Sequence, residues 1–209
     1  MKRAAAIGAT VGAIAGAVFI AMEYLWLYIG DSLVTFLFGG GAALLFGGAL
    51  LGILVSLIQM IIPKFRRRAI SNALTCLFIV GFVGLASLGA SMVRSHGLRE
   101  AADRAVPLIQ AIRDYENSSG RPPESLEALV PSGLDAIPGT GLGVHRNFEY
   151  ETGPGSLAER TGNSWVIYIP ASRGPLDWSM FIYCPNQEYD QDELDGAVER
   201  VDEWAFIAE

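Results

Sequence analysis

Asp190, Asp192, Glu193 and Asp195 set four carboxylates close together just before Gly196. A hard divalent cation such as calcium collects oxygens at that density, so this segment is the candidate metal site of the chain. The spacing departs from the EF-hand loop, because Leu194 stands in the third ligand place. A solvated acidic hairpin is the competing reading.

Other residues with chemical potential are scattered. Gly139-Thr140-Gly141-Leu142-Gly143 has the look of a phosphate loop, but it lacks the last glycine of the dinucleotide fingerprint and opens no helix. His96 and His145 have no Cys or His at ligand spacing. No Ser or Cys is set off by its neighbours as a nucleophile, so no catalytic residue and no cofactor other than calcium is expected. Cys76 sits in an apolar stretch and Cys184 in a strand, which makes both small apolar filler. Glu23 is the one charge inside an apolar stretch. Intramembrane carboxylates are functional suspects, but this one lies near the aromatic residues Tyr24, Trp26 and Tyr28, where it can reach lipid head groups.

The elements that must position these residues follow from periodicity. From Arg94 to Glu116, Leu98, Ala102, Ala105, Ile109 and Ile112 recur at steps of three and four, the mark of an amphipathic helix. Pro107 lies inside that pattern, and Asn117-Ser118-Ser119-Gly120 ends it. A short amphipathic turn follows at Leu126, Leu129 and Val130, closed by Pro131. The period then switches to two. Phe148 and Tyr150, Trp165 to Ile169, Met180 to Cys184 and Trp204 to Ile207 read as four strands. A long helix followed by consecutive strands predicts a soluble α+β domain, with the helix stripe packed on a four-stranded antiparallel meander.

The run from Ala111 to Pro131, with Tyr115, Gly120, Pro122 and the Leu126-Glu127-Ala128-Leu129-Val130-Pro131 turn, resembles the start of the globular domain of type II secretion pseudopilins. The resemblance implies a pilin-like fold, envelope or secretion-system partners, and calcium in a loop of the sheet region. Segment Arg68 to Ala73 carries neither the glycine processing site nor the early glutamate of a pilin precursor. The resemblance therefore implies a pilin-like domain kept in the membrane.

Residues 4–28, 33–62 and 69–93 are apolar stretches, each long enough for the roughly 20 residues that a bilayer core needs. Three transmembrane helices (1–93) are thus expected ahead of an extracytoplasmic domain (94–209). Lys2, Arg3, Lys64, Arg66, Arg67 and Arg68 against Glu23 and Asp31 leave the first part at +4, so the remainder carries −11 of the chain's net −7. Basic residues stay on the cytoplasmic side. The expected placement is the bacterial cytoplasmic membrane, with the N-terminus inside and the domain in the periplasm or outside the cell. An acidic domain repels phosphate backbones and excludes nucleic acid as its partner. Gly8, Gly12 and Gly16 form a row that lets helix backbones touch, either within this bundle or in a homo-oligomer. The functional expectation is a non-enzymatic membrane protein displaying a pilin-like domain for protein–protein interaction. A calcium- or ligand-sensing module coupled to the membrane helices is the alternative.

Overall fold

The computed structural model describes residues 2–30, 32–130, 133–171 and 178–208. Within those ranges the side chains of residues 2–5, 32–43, 45 and 193 are outside the description. Three helices come first: α1 (Lys2–Ile29), α2 (Ser32–Gln59) and α3 (Arg66–Ser119). A 3-10 turn (Leu126–Leu129) leads to β1 (Glu149–Thr152), α4 (Leu157–Arg160), β2 (Trp165–Pro170), β3 (Met180–Tyr183), α5 (Gln191–Leu194), β4 (Ala197–Val201) and β5 (Trp204–Ala208). The chain divides into two compact units, Met1–His96 and Gly97–Glu209, and the division falls inside α3.

Two helices of the described residues are long and apolar enough to cross a membrane, at Ala6–Ile29 and within α3. In α2 the described apolar run is Phe46–Gln59. Beyond Gln59 the amides of Met60, Ile61 and Ile62 bond back to Ser56, Ile58 and Gln59, which makes a tight link rather than a helix reaching residue 62. The loop residue Asp31 falls outside the described residues.

Helix packing in the first unit runs through missing side chains. A Cβ on Gly8 would sit 2.8 Å from Thr75 Cα and 2.9 Å from its carbonyl oxygen. On Gly12 it would meet Phe82 Cβ at 3.0 Å, and on Gly16 Ala86 Cβ at 3.2 Å. The glycine row of α1 is therefore laid against α3 of the same chain. Gly52 of α2 approaches Cys76 Sγ in the same way, at 2.7 Å, whereas Gly48 opens on empty space. In lipid this close van der Waals fit takes the place of hydrophobic association.

In the second unit, Gly97 to Ser119 of α3 presents Leu98, Ala101, Ala105, Leu108, Ile109, Ala111 and Ile112 as a buried face. That face is wider than the periodic stripe, and Ala102 lies at its margin, half-buried. Gly120, at φ +72°, ends the helix in the left-handed region open to glycine.

The sheet is antiparallel and has five strands in the order β1-β2-β3-β5-β4, which corrects the expected four. The extra strand is Ala-Val-Glu-Arg-Val, with mostly exposed side chains. It forms an edge, where charge is tolerated, and so lacks the aromatic run that marks the others. A two-residue turn, Asp202-Glu203, joins it to β5, with Asp202 at φ 57°. Because β4 lies outside β5, the sheet is not a simple meander.

Register sorts the strand residues onto two faces. Ile167 opposite Tyr183 and Ile169 opposite Phe181 share one face. Trp165, Tyr183, Trp204 and Phe181 form an aromatic cluster there, with ring centroids 4.9–5.9 Å apart along the series. The other face joins Val166, Ile182, Ala205 and Ile207 to Leu157, Ala158 and Leu194 from the two short helices. Each large side chain buried this way contributes about 1.5–3 kcal/mol.

Candidate functional site

Two of the four acidic residues of the candidate metal site, Asp190 and Asp195, have local duties. The Asp190 carboxylate caps α5, its Oδ1 accepting from the Asp192 amide at 2.9 Å. Asp195 takes the left-handed conformation after that helix (φ 52°), and its Oδ2 lies 3.6 Å from Arg160 Nη1. Both partners of that pair are well exposed, so it adds little to stability. Asp192 is exposed, and the side chain of Glu193 is outside the description. Among the described residues no three His, Cys, Asp or Glu side chains converge as metal ligands.

The glycine-rich loop is organised by its own threonine. Thr140 is buried; its hydroxyl donates to the His145 carbonyl and accepts from the Leu142 amide at 3.0 Å. The Thr140 amide donates to the Arg146 carbonyl at 3.0 Å. Gly141 sits at φ +82°, and a Cβ there would collide with the Arg104 guanidinium of α3. Gly141 thus admits an arginine side chain.

His96 is exposed at the end of the first unit, Ser164 immediately precedes β2, and His145 is half-buried in the Thr140 loop. Cys184 is buried at the end of β3, Cys76 is half-buried on α3, and neither is in a disulfide. The Cys184 amide donates to the Tyr189 hydroxyl at 3.2 Å, and that hydroxyl donates to the Glu203 carbonyl. Glu23 is half-buried on α1, and the rings of Tyr24 and Tyr28, one turn apart, meet at a 37° tilt with centroids at 4.7 Å.

The polar ties that define the second unit were not visible in the sequence. Arg113 Nη2 donates to the Tyr183 hydroxyl at 2.5 Å, with the guanidinium 5.9 Å from the ring centre. Trp165 Nε1 donates to Glu116 at 3.0 Å, and the Tyr150 hydroxyl to the Pro123 carbonyl at 2.8 Å. The Tyr168 hydroxyl donates to Glu151 at 3.0 Å, while the other oxygen of that carboxylate accepts from the Leu157 amide at 2.7 Å. Asn163 and Asn186 join two turns, the Asn186 amide donating to Asn163 Oδ1 at 2.9 Å. Alternation and charge announce the types of these residues, but the pairs lie up to 70 positions apart.

These environments set a pH window for stability. Burial lowers the His145 pKa from 6.5, against an opposing pull from Glu149. On acidification the unfolded chain takes up that proton first, so stability falls as pH drops through 6.5 toward the folded value. Burial raises the Tyr168 pKa to about 12, helped by the hydrogen bond to Glu151. Burial also raises Tyr150, Tyr183 and Tyr189. Above the ordinary tyrosine value of 10 the unfolded chain ionises first, and stability falls as pH rises toward 12. Melting temperatures of the detergent-solubilised chain should therefore decline below pH 6.5 and above pH 10. His145→Gln should flatten the decline between pH 6.5 and the folded value, and Tyr168→Phe should soften the alkaline one.

No protein-family model, no curated protein and no solved structure matches this chain.

Proposed function

We propose that the chain is a non-enzymatic integral membrane protein of the bacterial envelope that displays a pilin-like α+β unit for protein–protein interaction. In this reading α1, α2 and the first part of α3 are three spans. The N-terminus and the arginine-rich link face the cytoplasm, and the second unit lies outside it.

The observation that carries the membrane part is where apolar side chains are left uncovered. Among the described residues, every exposed large hydrophobic side chain lies between Ile7 and Met92, except Val106, Val130 and Trp178. Leu44, Ile61 and Met92 are 79%, 81% and 71% exposed. Surface of that kind is costly in water and costs nothing against lipid tails. The orientation rests on the basic residues. The interaction role is supported by an amphipathic helix laid on an antiparallel sheet and by the pseudopilin-like run from Ala111 to Pro131.

Protease added to intact spheroplasts tests the arrangement. The expected result is removal of the second unit and retention of a membrane-bound fragment ending near His96. A tail that is digested only after lysis overturns it. Crosslinking in whole cells, followed by purification of the full chain, tests the interaction role. An envelope protein crosslinked through residues 97–209 is expected, and recovery of the chain alone counts against the role.

A further inference from the structure

At the end of the first unit that carries the arginines, a groove of about 220 Å³ opens between α2 and α3. Gly52, Val55, Ser56 and Gln59 line it from α2 and Asn72, Thr75 and Cys76 from α3, with Gly52 letting Cys76 Sγ come close to α2. The Ser56 hydroxyl donates to the Gly52 carbonyl at 2.7 Å and that of Thr75 to the Ser71 carbonyl at 3.1 Å. The donors left for a ligand are the carboxamides of Gln59 and Asn72. Polar side chains grouped between membrane helices are expensive and mark a site.

Charge identifies the ligand. Arg68, exposed, lies one turn before Asn72 on the stripe that continues through Thr75 and Cys76, so it shares the helix face that lines the groove. Lys64, Arg66 and Arg67 adjoin it, and no acidic residue occurs anywhere from Ser32 to Val93. The first turn of α3 holds three arginines and no acidic side chain, at the helix end whose dipole already disfavours cations. The groove volume is roughly seven times the share of one water molecule in liquid. We propose that this groove holds the phosphate head group of an anionic phospholipid, with Gln59 and Asn72 donating to its oxygens and Arg68 pairing with its charge. The inference rests on the membrane reading above and deepens it by naming a lipid partner.

The test uses the full chain in neutral detergent, with phosphatidylglycerol and phosphatidylcholine of the same acyl chains as probes. Retained lipid is counted by native mass spectrometry. Wild type should prefer phosphatidylglycerol. The Q59L/N72L variant should lose most of that preference, and R68Q should weaken it roughly fivefold. R67Q, off the stripe, should change it less. Should Q59L/N72L fail to fold, R68Q against R67Q carries the test. Equal retention of both lipids overturns the proposal. So does an unchanged preference in the variants, which would leave only general attraction to a basic surface. Displacement of the lipid by low-millimolar sodium phosphate assigns the groove to the free ion and overturns the lipid assignment. Recovery of the chain as a soluble protein overturns both this inference and the membrane reading. Sedimentation with membranes but no lipid preference overturns this inference alone.

Discussion

Trp165→Ala destabilises the second unit by about 3–5 kcal/mol, a large share of the roughly 5–15 kcal/mol that holds a domain together. Trp165 is fully buried, stacks on Tyr183 at 5.9 Å and ties its indole to Glu116 at 3.0 Å. Removing it leaves a cavity in the aromatic cluster and deletes both the stack on Tyr183 and the tie to Glu116 of α3. Urea denaturation of the detergent-solubilised chain, followed by near-ultraviolet circular dichroism, reads the loss. Trp165→Phe keeps most of the apolar area and gives up the hydrogen bond, so about 1 kcal/mol is expected from that bond, plus a smaller packing term. If alanine and phenylalanine cost the same, the aromatic cluster is not the centre of the unit.

Gly8→Leu is the second large effect, expected at about 1–3 kcal/mol or more in the first unit. The atoms facing Gly8 are main-chain atoms of Thr75, which cannot rotate aside. The two helices must separate, and the contacts at Gly12 and Gly16 loosen with them. Gly48→Ala is the control. Nothing lies within 4 Å of its new methyl group, and alanine favours the helix by roughly 0.5–1 kcal/mol over glycine. Thermal melting in detergent should fall for Gly8→Leu and hold or rise for Gly48→Ala. A Gly8→Leu chain that melts normally but changes its oligomeric state would show that the row faces another copy instead.

Much of the strand content was legible because burial on both faces leaves an apolar run. Trp165 to Ile169 and Met180 to Tyr183 announce themselves. The edge strand β4 did not, since Glu199 and Arg200 give it the composition of a loop. Helices α4 and α5 have four residues each, too few for a period to show. The glycine row on α1 was readable as a contact surface, but its target was not. Only the packed structure pairs Gly8 with Thr75 and Gly12 with Phe82. The acidic segment drew attention as a metal site because composition reports charge but not direction. Asp190 turns back onto the main chain and Asp195 meets an arginine. Gln59 and Asn72 were unremarkable in one dimension, and two helices had to be folded side by side to bring them into one groove.

The outermost ribbon of the sheet carries a wider implication. Proteins tethered to a bilayer meet one another far more often than proteins free in three dimensions, and a bare ladder of amides would invite runaway stacking between copies. With the exposed Glu199 and Arg200 on that rim, such stacking would have to desolvate both charges. If the unit is held at a bilayer as proposed, the charges on this rim therefore disfavour pairing of crowded copies along β4.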